Sequence, residues 1–432
     1  MHNDQLRQSL KFPRDKLKFT DISKLLMLPS GYNIFKHEDT IQKILTENYI
    51  FHSLASLEME IQPILEHVQS TGLIISNSWF STGLQEKKAK LNHLVQKLNQ
   101  MIGSDELKYK KESVREFWRV NSMPVVFDSK QLSNFELIHP TYKVVSEINK
   151  IQNYLKQWDE RLKTIGTNNE QGLLIKGSWT SFSSYSGRMT AKKLPLTSLP
   201  RKLRQYIIAP KGYEILSLDL NAAELRFLAY FSKCESMLKT FNQGQDIHMS
   251  ISHMLLRDFT FGNPMSETYY RDFSKEFIFS YLYGVSRQKM VEKLRSISSD
   301  VTSLDVIKLE STFNRYYPEI SKYLSGLERS ELLHTPLGKI KPTAKFNRNQ
   351  KRNFLFQASV AYAVKHLMLI ASSYYEVIHV QHDEIWLLAL SKAPTATTIE
   401  EITYLFNNKL QELFTGFPVN NLLTLNSIGG LQ

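Results

Sequence analysis

The chain has 432 residues, 42% apolar and 11% aromatic, with a formal charge of +12. These totals allow two or three domains with substantial cores, exclude general disorder, and suit a polyanionic partner without requiring one. A single cysteine, Cys234, excludes an internal disulfide framework and a thiolate zinc cluster and reads as a small packing residue. The 12 histidines show no HxxxH or Cys/His ligand spacing. No uninterrupted apolar run reaches the ~18 residues of a membrane span, and the first ten residues, MHNDQLRQSL, lack the apolar core of a signal peptide. The expectation is a soluble intracellular protein with no membrane contact.

Residues 1–53 are basic with scattered apolar positions and read as an N-terminal arm, too short for a large core of its own. From Leu54 the pattern turns helical and stops at Gly72, followed by the short apolar run LIIS. A long helix follows, with Leu84, Leu91, Leu94, Val95, Leu98, Met101 and Ile102 at near-heptad spacing and a stop at Gly103. A solvated face is the usual meaning of its lysines, with contact to a phosphate backbone the functional alternative. Beyond the loop holding Pro124 and Pro140, Val144, Ile148, Ile151, Leu155, Trp158 and Leu162 mark a partner helix, so two antiparallel helices packed together are expected. The run GTNNEQG, residues 166–172, reads as a glycine-bounded linker. The Ser-, Thr- and Pro-rich stretch after it carries Arg188, Lys192, Lys193, Arg201, Lys202 and Arg204, and suits an extended basic loop.

Tyr213–Leu218 reads as a buried strand and 221–231 as a helix, with Asp219 between them as either a capping carboxylate or a catalytic one. Residues 235–344 are expected to be mostly helical, with a helix start near Asp246. Within them, Arg271, Lys275, Phe279 and Tyr283 recur every four residues before Gly284, placing two cations and then two rings on one helix face. That grading suits the phosphates and base of a nucleoside triphosphate. It also suits an amphipathic helix with an aromatic core side, and this helix alone does not decide between them. A helix is expected from Arg348 to Ser373, with Asn353 and Gln357 one turn apart in apolar surroundings, where amides need partners. In YYEVIHVQHDEIWLLAL, residues 374–390, two apolar strand-like runs flank Gln381, His382, Asp383 and Glu384. Adjacent carboxylates at a tight turn are costly unless solvated or neutralised, and the apolar run resumes at once, which favours a metal-binding hairpin over a plain polar tip.

Oxygen ligands without a Cys/His cluster point to Mg²⁺ or Mn²⁺. A strand-end aspartate and a hairpin pair can hold two ions, an arrangement that serves nucleotidyl transfer. Three motifs then make the chain resemble the polymerase portion of the DNA polymerase I family, family A. DLNAAELR at 219–226 is similar to motif A, DYSxxELR. RDFSKEFIFSYLYG at 271–284 matches motif B, RxxxKxxxFxxxYG, at every defining position, and QHDE at 381–384 is similar to motif C, VHDE. SGR at 186–188, DIH at 246–248 and the Asn353/Gln357 pair add weaker similarities, all in the family's order over about 54–430.

The resemblance implies an α+β fold of right-hand architecture, with thumb, palm on an antiparallel sheet, and helical fingers. The thumb with its preceding helix would span 54–170, the palm 171–234 and 345–432, and the fingers 235–344. It implies that Asp219, Asp383 and the Leu220 carbonyl are metal ligands, with Glu384 supporting them. Arg271, Lys275 and His248 would hold the triphosphate, Lys275 also protonating the leaving pyrophosphate. Phe279 would flank the sugar, Tyr283 the nascent base pair, and Glu224 would exclude a 2′-hydroxyl. Arg188, Asn353, Gln357 and His382 would contact DNA. The implied partners are primer–template DNA, deoxynucleoside triphosphates and processivity or replication factors, with the protein itself a monomer.

Departures stand out. The YSQI of motif A is Leu220-Asn221-Ala222-Ala223, the loop after Arg188 lacks an Asn/Gln-rich run, Asn349 replaces an arginine, and the segment between Phe127 and Tyr142 is short. Each would weaken the grip on DNA while sparing the carboxylates. The first 50 residues have no room for proofreading or 5′-nuclease domains, so no intrinsic exonuclease is expected. Two rivals remain: a single-subunit RNA polymerase, disfavoured by Glu224 and Phe279, and a non-catalytic nucleic-acid-binding factor, disfavoured by intact Asp219, Asp383, Lys275 and Arg271.

Overall fold

A computed structural model describes residues 56–128, 131–132, 135–136, 138–181, 184–192, 194–256, 266–335, 340–391 and 395–429. The N-terminal arm expected over 1–53, Lys193 and part of the short segment after Phe127 lie outside them. Helix α1, Gln62–Thr71, ends at Gly72, whose φ of 71° suits a residue without a Cβ. Strand β1, Leu73–Ser76, and the long α2, Gln85–Ile102, follow. Helix α2 stops at Gly103 in the left-handed region, as its sequence anticipates. Next come α3, Lys111–Val120, and α4, Pro140–Leu155, where proline opens the helix and the His139 side chain accepts from the Thr141 amide.

The 166–172 run is not an open linker. Thr167–Asn169 forms β2, which pairs antiparallel with β3, Gly172–Ile175, because its extended residues find ladder partners in the apolar LLI run. The basic stretch after it likewise contains a small hairpin, β4 at Ser178–Thr180 and β5 at Thr190–Lys192, carrying Arg188 near its turn. Strand β6 is Ile207–Ile208, and β7, Tyr213–Leu220, runs two residues beyond the expected strand. Helices α5, Ala223–Ser232, α6, Glu235–Asn242, and α7, Ile247–Leu256, lead to the graded helix α8, Glu267–Leu282. Helices α9, Arg287–Arg295, α10, Ser303–Tyr316, and α11, Pro318–Arg329, precede the β8–β9 hairpin at Leu332–His334 and Ile340–Pro342. The chain ends in α12, Arg348–Ser372, β10, Glu376–Gln381, β11, Glu384–Leu390, α13, Thr395–Leu413, and β12, Leu423–Ile428.

The chain divides into two compact units. Among the described residues, one draws on 70–177, 199–211 and 428–429. Its sheet has the order β2-β3-β1-β6. Helices α2 and α4 pack together, as the periodicity predicts, around a cluster that includes Leu94, Leu98, Trp118, Tyr142, Val145 and Ile148. Trp118 stacks on Tyr142 at 4.5 Å and donates its indole N–H to Thr141, so a large ring is buried with its polar atom satisfied.

Among the described residues, the other unit draws on 56–69, 178–198 and 212–427 and contains the sheet β10-β11-β7-β12. Strands β10, β11 and β7 pair antiparallel. Ile215–Leu218 and Glu384–Leu387 are buried throughout, which explains continuous apolar runs where a one-faced strand would alternate. Helix α12 packs on β10, β11, α5 and α13. It is long and apolar enough to cross a membrane by composition, but 78% of its apolar window is buried inside the protein. Its Lys365 is 1% exposed and ion-paired with Glu58, itself 3% exposed.

Candidate active site

The site is built where two chain reversals meet. Strand β7 reaches Asp219 and Leu220, and Ala222, at φ 51°, turns the chain sharply into α5. No side chain caps that helix, so Asp219 is not the capping carboxylate the sequence allowed. Across the ladder, Gln381 pairs with Glu384, leaving His382 and Asp383 as a two-residue turn in which His382 takes φ 49°. Register places Glu384 opposite Asp219, and the Leu220 amide donates to the Asp383 carbonyl at 3.0 Å. The two aspartates are thus brought together by backbone pairing.

A cavity of about 520 Å³ opens over this junction, lined by Asp219, Leu220, Glu224, His382 and Asp383 on one side and by Arg188, His248, Arg271, Lys275, Phe279 and Tyr283 on the other. Eleven of the predicted site residues therefore share one cavity. Helix α8 supplies Arg271, Lys275 and Phe279, and Tyr283 follows at its C-terminal boundary. Gly284 ends the helix at φ 65°; a Cβ there would approach Asn349 Oδ1 at 3.2 Å and Arg352 Cδ at 3.3 Å. The four-residue recurrence thus lines the cavity, while Phe273, Phe277 and Ile278 on the same helix fill the core.

Three predicted residues do not line this cavity. Glu384 is buried behind it, accepting hydrogen bonds from Ser217 and from Trp386 Nε1. Asn353 and Gln357 are half-buried on α12. Gln357 Oε1 accepts from the Tyr185 hydroxyl at 3.0 Å, and the buried Asn353 Oδ1 has no hydrogen-bond donor.

The electrostatics are graded. Burial raises the Asp383 carboxyl, and the charge of Glu224 raises it further. A hard cation between Asp219 and Asp383 would relieve that penalty, so the donors fit a divalent ion. Among the described residues no cluster of three or more His, Cys, Asp or Glu makes a complete ligand set. Such an ion would therefore need oxygens from outside the side chains. His248 is lowered to about 4, chiefly by burial and then by Lys275 and Arg271, so its imidazole is neutral at pH 7. Burial and Glu224 push Tyr283 well above its ordinary range, keeping a phenol that donates to Glu224 Oε2. The other oxygen, Oε1, accepts from Arg188 at 2.6 Å.

Sequence reading missed these pairings. Glu224 lines the cavity, but its two hydrogen-bond partners lie 36 and 59 positions away in sequence. Ser217 as the anchor of Glu384 shows in sequence only as a polar residue in an apolar strand.

A family model described as DNA polymerase family A matches residues 84–403. DNA polymerase I of Helicobacter pylori is 23% identical over 351 residues, covering 77% of this chain and 38% of the relative. DNA polymerase I of Lactococcus lactis subsp. cremoris is 22% identical over 342 residues, covering 74% and 36%. The chain thus spans little more than a third of the length of these relatives. Among solved structures, the POL domain of Pol1 from M. smegmatis, in complex with DNA primer-template and dNTP, matches with a TM-score of 0.69 at 15% identity, covering 90% of this chain and 72% of that one. The likeness shows the fold, and with it the α+β class expected from the motifs.

Proposed function

The chain belongs to DNA polymerase family A, and on that premise we propose that it extends a primer 3′ end on a DNA template with deoxynucleoside triphosphates. The observation that carries the reading is the cavity shared by two aspartates, three triphosphate-directed side chains and the Glu224–Tyr283 pair.

Asp219, Asp383 and the Leu220 carbonyl would hold Mg²⁺ or Mn²⁺, two ions in the full reading, with phosphate and water oxygens completing the shells. Such ions, when bound, activate the attacking oxygen and stabilise the leaving one. Glu384, held by Ser217 and Trp386, supports the strand that presents Asp219. Arg271 and Lys275 neutralise the triphosphate, and neutral His248 donates to it without adding charge. As the primer 3′-hydroxyl releases its proton to water, its oxygen bonds to the α-phosphorus, the bond to pyrophosphate breaks, and Lys275 gives a proton to the departing oxygen. Phe279 lies against the sugar and Tyr283 against the new base pair. Glu224, fixed through both oxygens, fills the space a 2′-hydroxyl would need. Arg188 and His382 meet the primer end, and Asn353 and Gln357 its minor groove. The reading includes synthesis without proofreading by these 432 residues, no membrane role, and action as a monomer with processivity factors as further partners.

The test is a labelled primer–template incubated with Mg²⁺ and either deoxy- or ribonucleoside triphosphates. Template-dependent extension with deoxynucleotides supports the proposal. Tight DNA binding without extension would favour the non-catalytic reading, and preferential use of ribonucleotides would refute the role given to Glu224.

A further inference from the structure

Asp246 lies outside the cavity lining, yet it touches two of the elements that supply it. Its Oδ1 accepts from the amides of His248 at 2.8 Å and Met249 at 3.1 Å, closing the N-terminus of α7. Its Oδ2 accepts from Arg271 Nε at 2.9 Å, on the first turns of α8. One carboxylate therefore ties the backbone that carries His248 to the guanidinium of Arg271. Burial alone would raise this carboxyl, but Arg271 and the two amides outweigh it and hold it below the usual range.

Three features argue for a role in geometry rather than stability. Both side chains are substantially exposed, 34% for Arg271 and 43% for Asp246, and an ion pair so placed adds little to folding. Engaging Nε leaves both terminal guanidinium nitrogens to face an anion as a fork. Without that contact, Arg271 is a long side chain whose rotamers must be ordered when a triphosphate binds, a cost preorganisation avoids.

Resting on the polymerase reading, we propose that Asp246 is a positioning residue for the incoming nucleotide: it presents Arg271 and His248 to the triphosphate as one preset clamp. Simple charge bookkeeping forecasts the opposite, since a carboxylate near a polyanion should weaken binding, and the sign of the mutant effect therefore decides between them. Asn is as good a helix cap as Asp, so Asp246→Asn keeps the α7 cap while removing the charge-assisted bond to Arg271.

The experiment measures KM for a correct deoxynucleotide, kcat and thermal stability for the wild type, Asp246→Asn, Arg271→Ala and the double variant. The proposal expects Asp246→Asn to raise KM about tenfold, the scale of one charge-assisted hydrogen bond, with kcat within about twofold and Tm unchanged. It expects no further rise in KM when Asp246→Asn is added to Arg271→Ala. An unchanged or lowered KM would overturn it, as would an equal rise in the Arg271→Ala background. If the wild type itself extends no primer, it is the polymerase reading that fails, and dNTP binding to the wild type and Asp246→Asn then tests the clamp alone: equal affinities overturn it, and weaker binding to Asp246→Asn supports it.

Discussion

At the scale of single residues the site rests on strained or fully engaged groups. Ala222 and His382 both adopt positive φ on either side of the Asp219–Asp383 junction, a conformation that costs about 1–2 kcal/mol in residues with a Cβ. Strain held at such positions marks a junction that the surrounding pairing over-determines. Glu224 has each oxygen occupied, so a substitution at Tyr283 acts on the carboxylate as well as on the base side. Tyr283→Phe is expected to relax sugar discrimination, with about tenfold more ribonucleotide incorporated, and Glu224→Ala to relax it further; competitive incorporation assays read both. The separation of Asp219 from Asp383 by 164 positions did not hide them, because each sits in a motif of fixed local pattern. The Arg188–Glu224 and Asp246–Arg271 bonds were not legible, because they join loops and helices whose proximity only tertiary structure sets.

At the scale of elements, α8 supplies Arg271, Lys275 and Phe279 to the cavity, while α12 packs in the core of the same unit. Gly284 ends α8 in the left-handed region with atoms of Asn349 and Arg352 close by. Gly284→Ala is expected to lower stability by about 1–2 kcal/mol, measured by denaturant unfolding, and to shift Tyr283. Deep in the same unit, Lys365 and Glu58 form an ion pair with almost no solvent access. Lys365→Met alone should cost about 3–5 kcal/mol by leaving Glu58 charged and buried, whereas adding Glu58→Leu should recover most of the loss. A double variant as unstable as the single one would show that the pair contributes more than charge compensation. Periodicity forecast α2, α4, α8 and α12 well, since long amphipathic or apolar repeats bury against something whatever the topology. It failed at residues 166–172, where polar composition suggested a linker but extended residues beside an apolar run found a partner strand.

At the scale of the whole molecule, charge and protonation set the conditions for function. With a formal charge of +12, DNA affinity should fall steeply as salt rises; a slope near zero in a titration would contradict the phosphate contacts. His366, half-buried on α12, is lowered to about 4, by partial burial first and then by Lys409. The unfolded chain takes up that proton near pH 6.5 while the folded one refuses it, so stability is intact above about pH 6.5 and is lost as pH falls toward 4. This one group accounts for about 2 kcal/mol between pH 7 and pH 5, and His366→Gln should flatten that part of the stability curve, as urea unfolding at the two pH values would show.

The central claim is that Asp219 and Asp383 form a catalytic pair rather than a structural one. The most direct measurement is single-turnover nucleotide addition to a primer–template by the wild type and by Asp383→Ala, with DNA affinity and thermal stability measured on the same samples. The account predicts that the variant binds DNA as well as the wild type and keeps its Tm, yet adds nucleotides at least about a thousandfold more slowly. Comparable rates from the two proteins would contradict it.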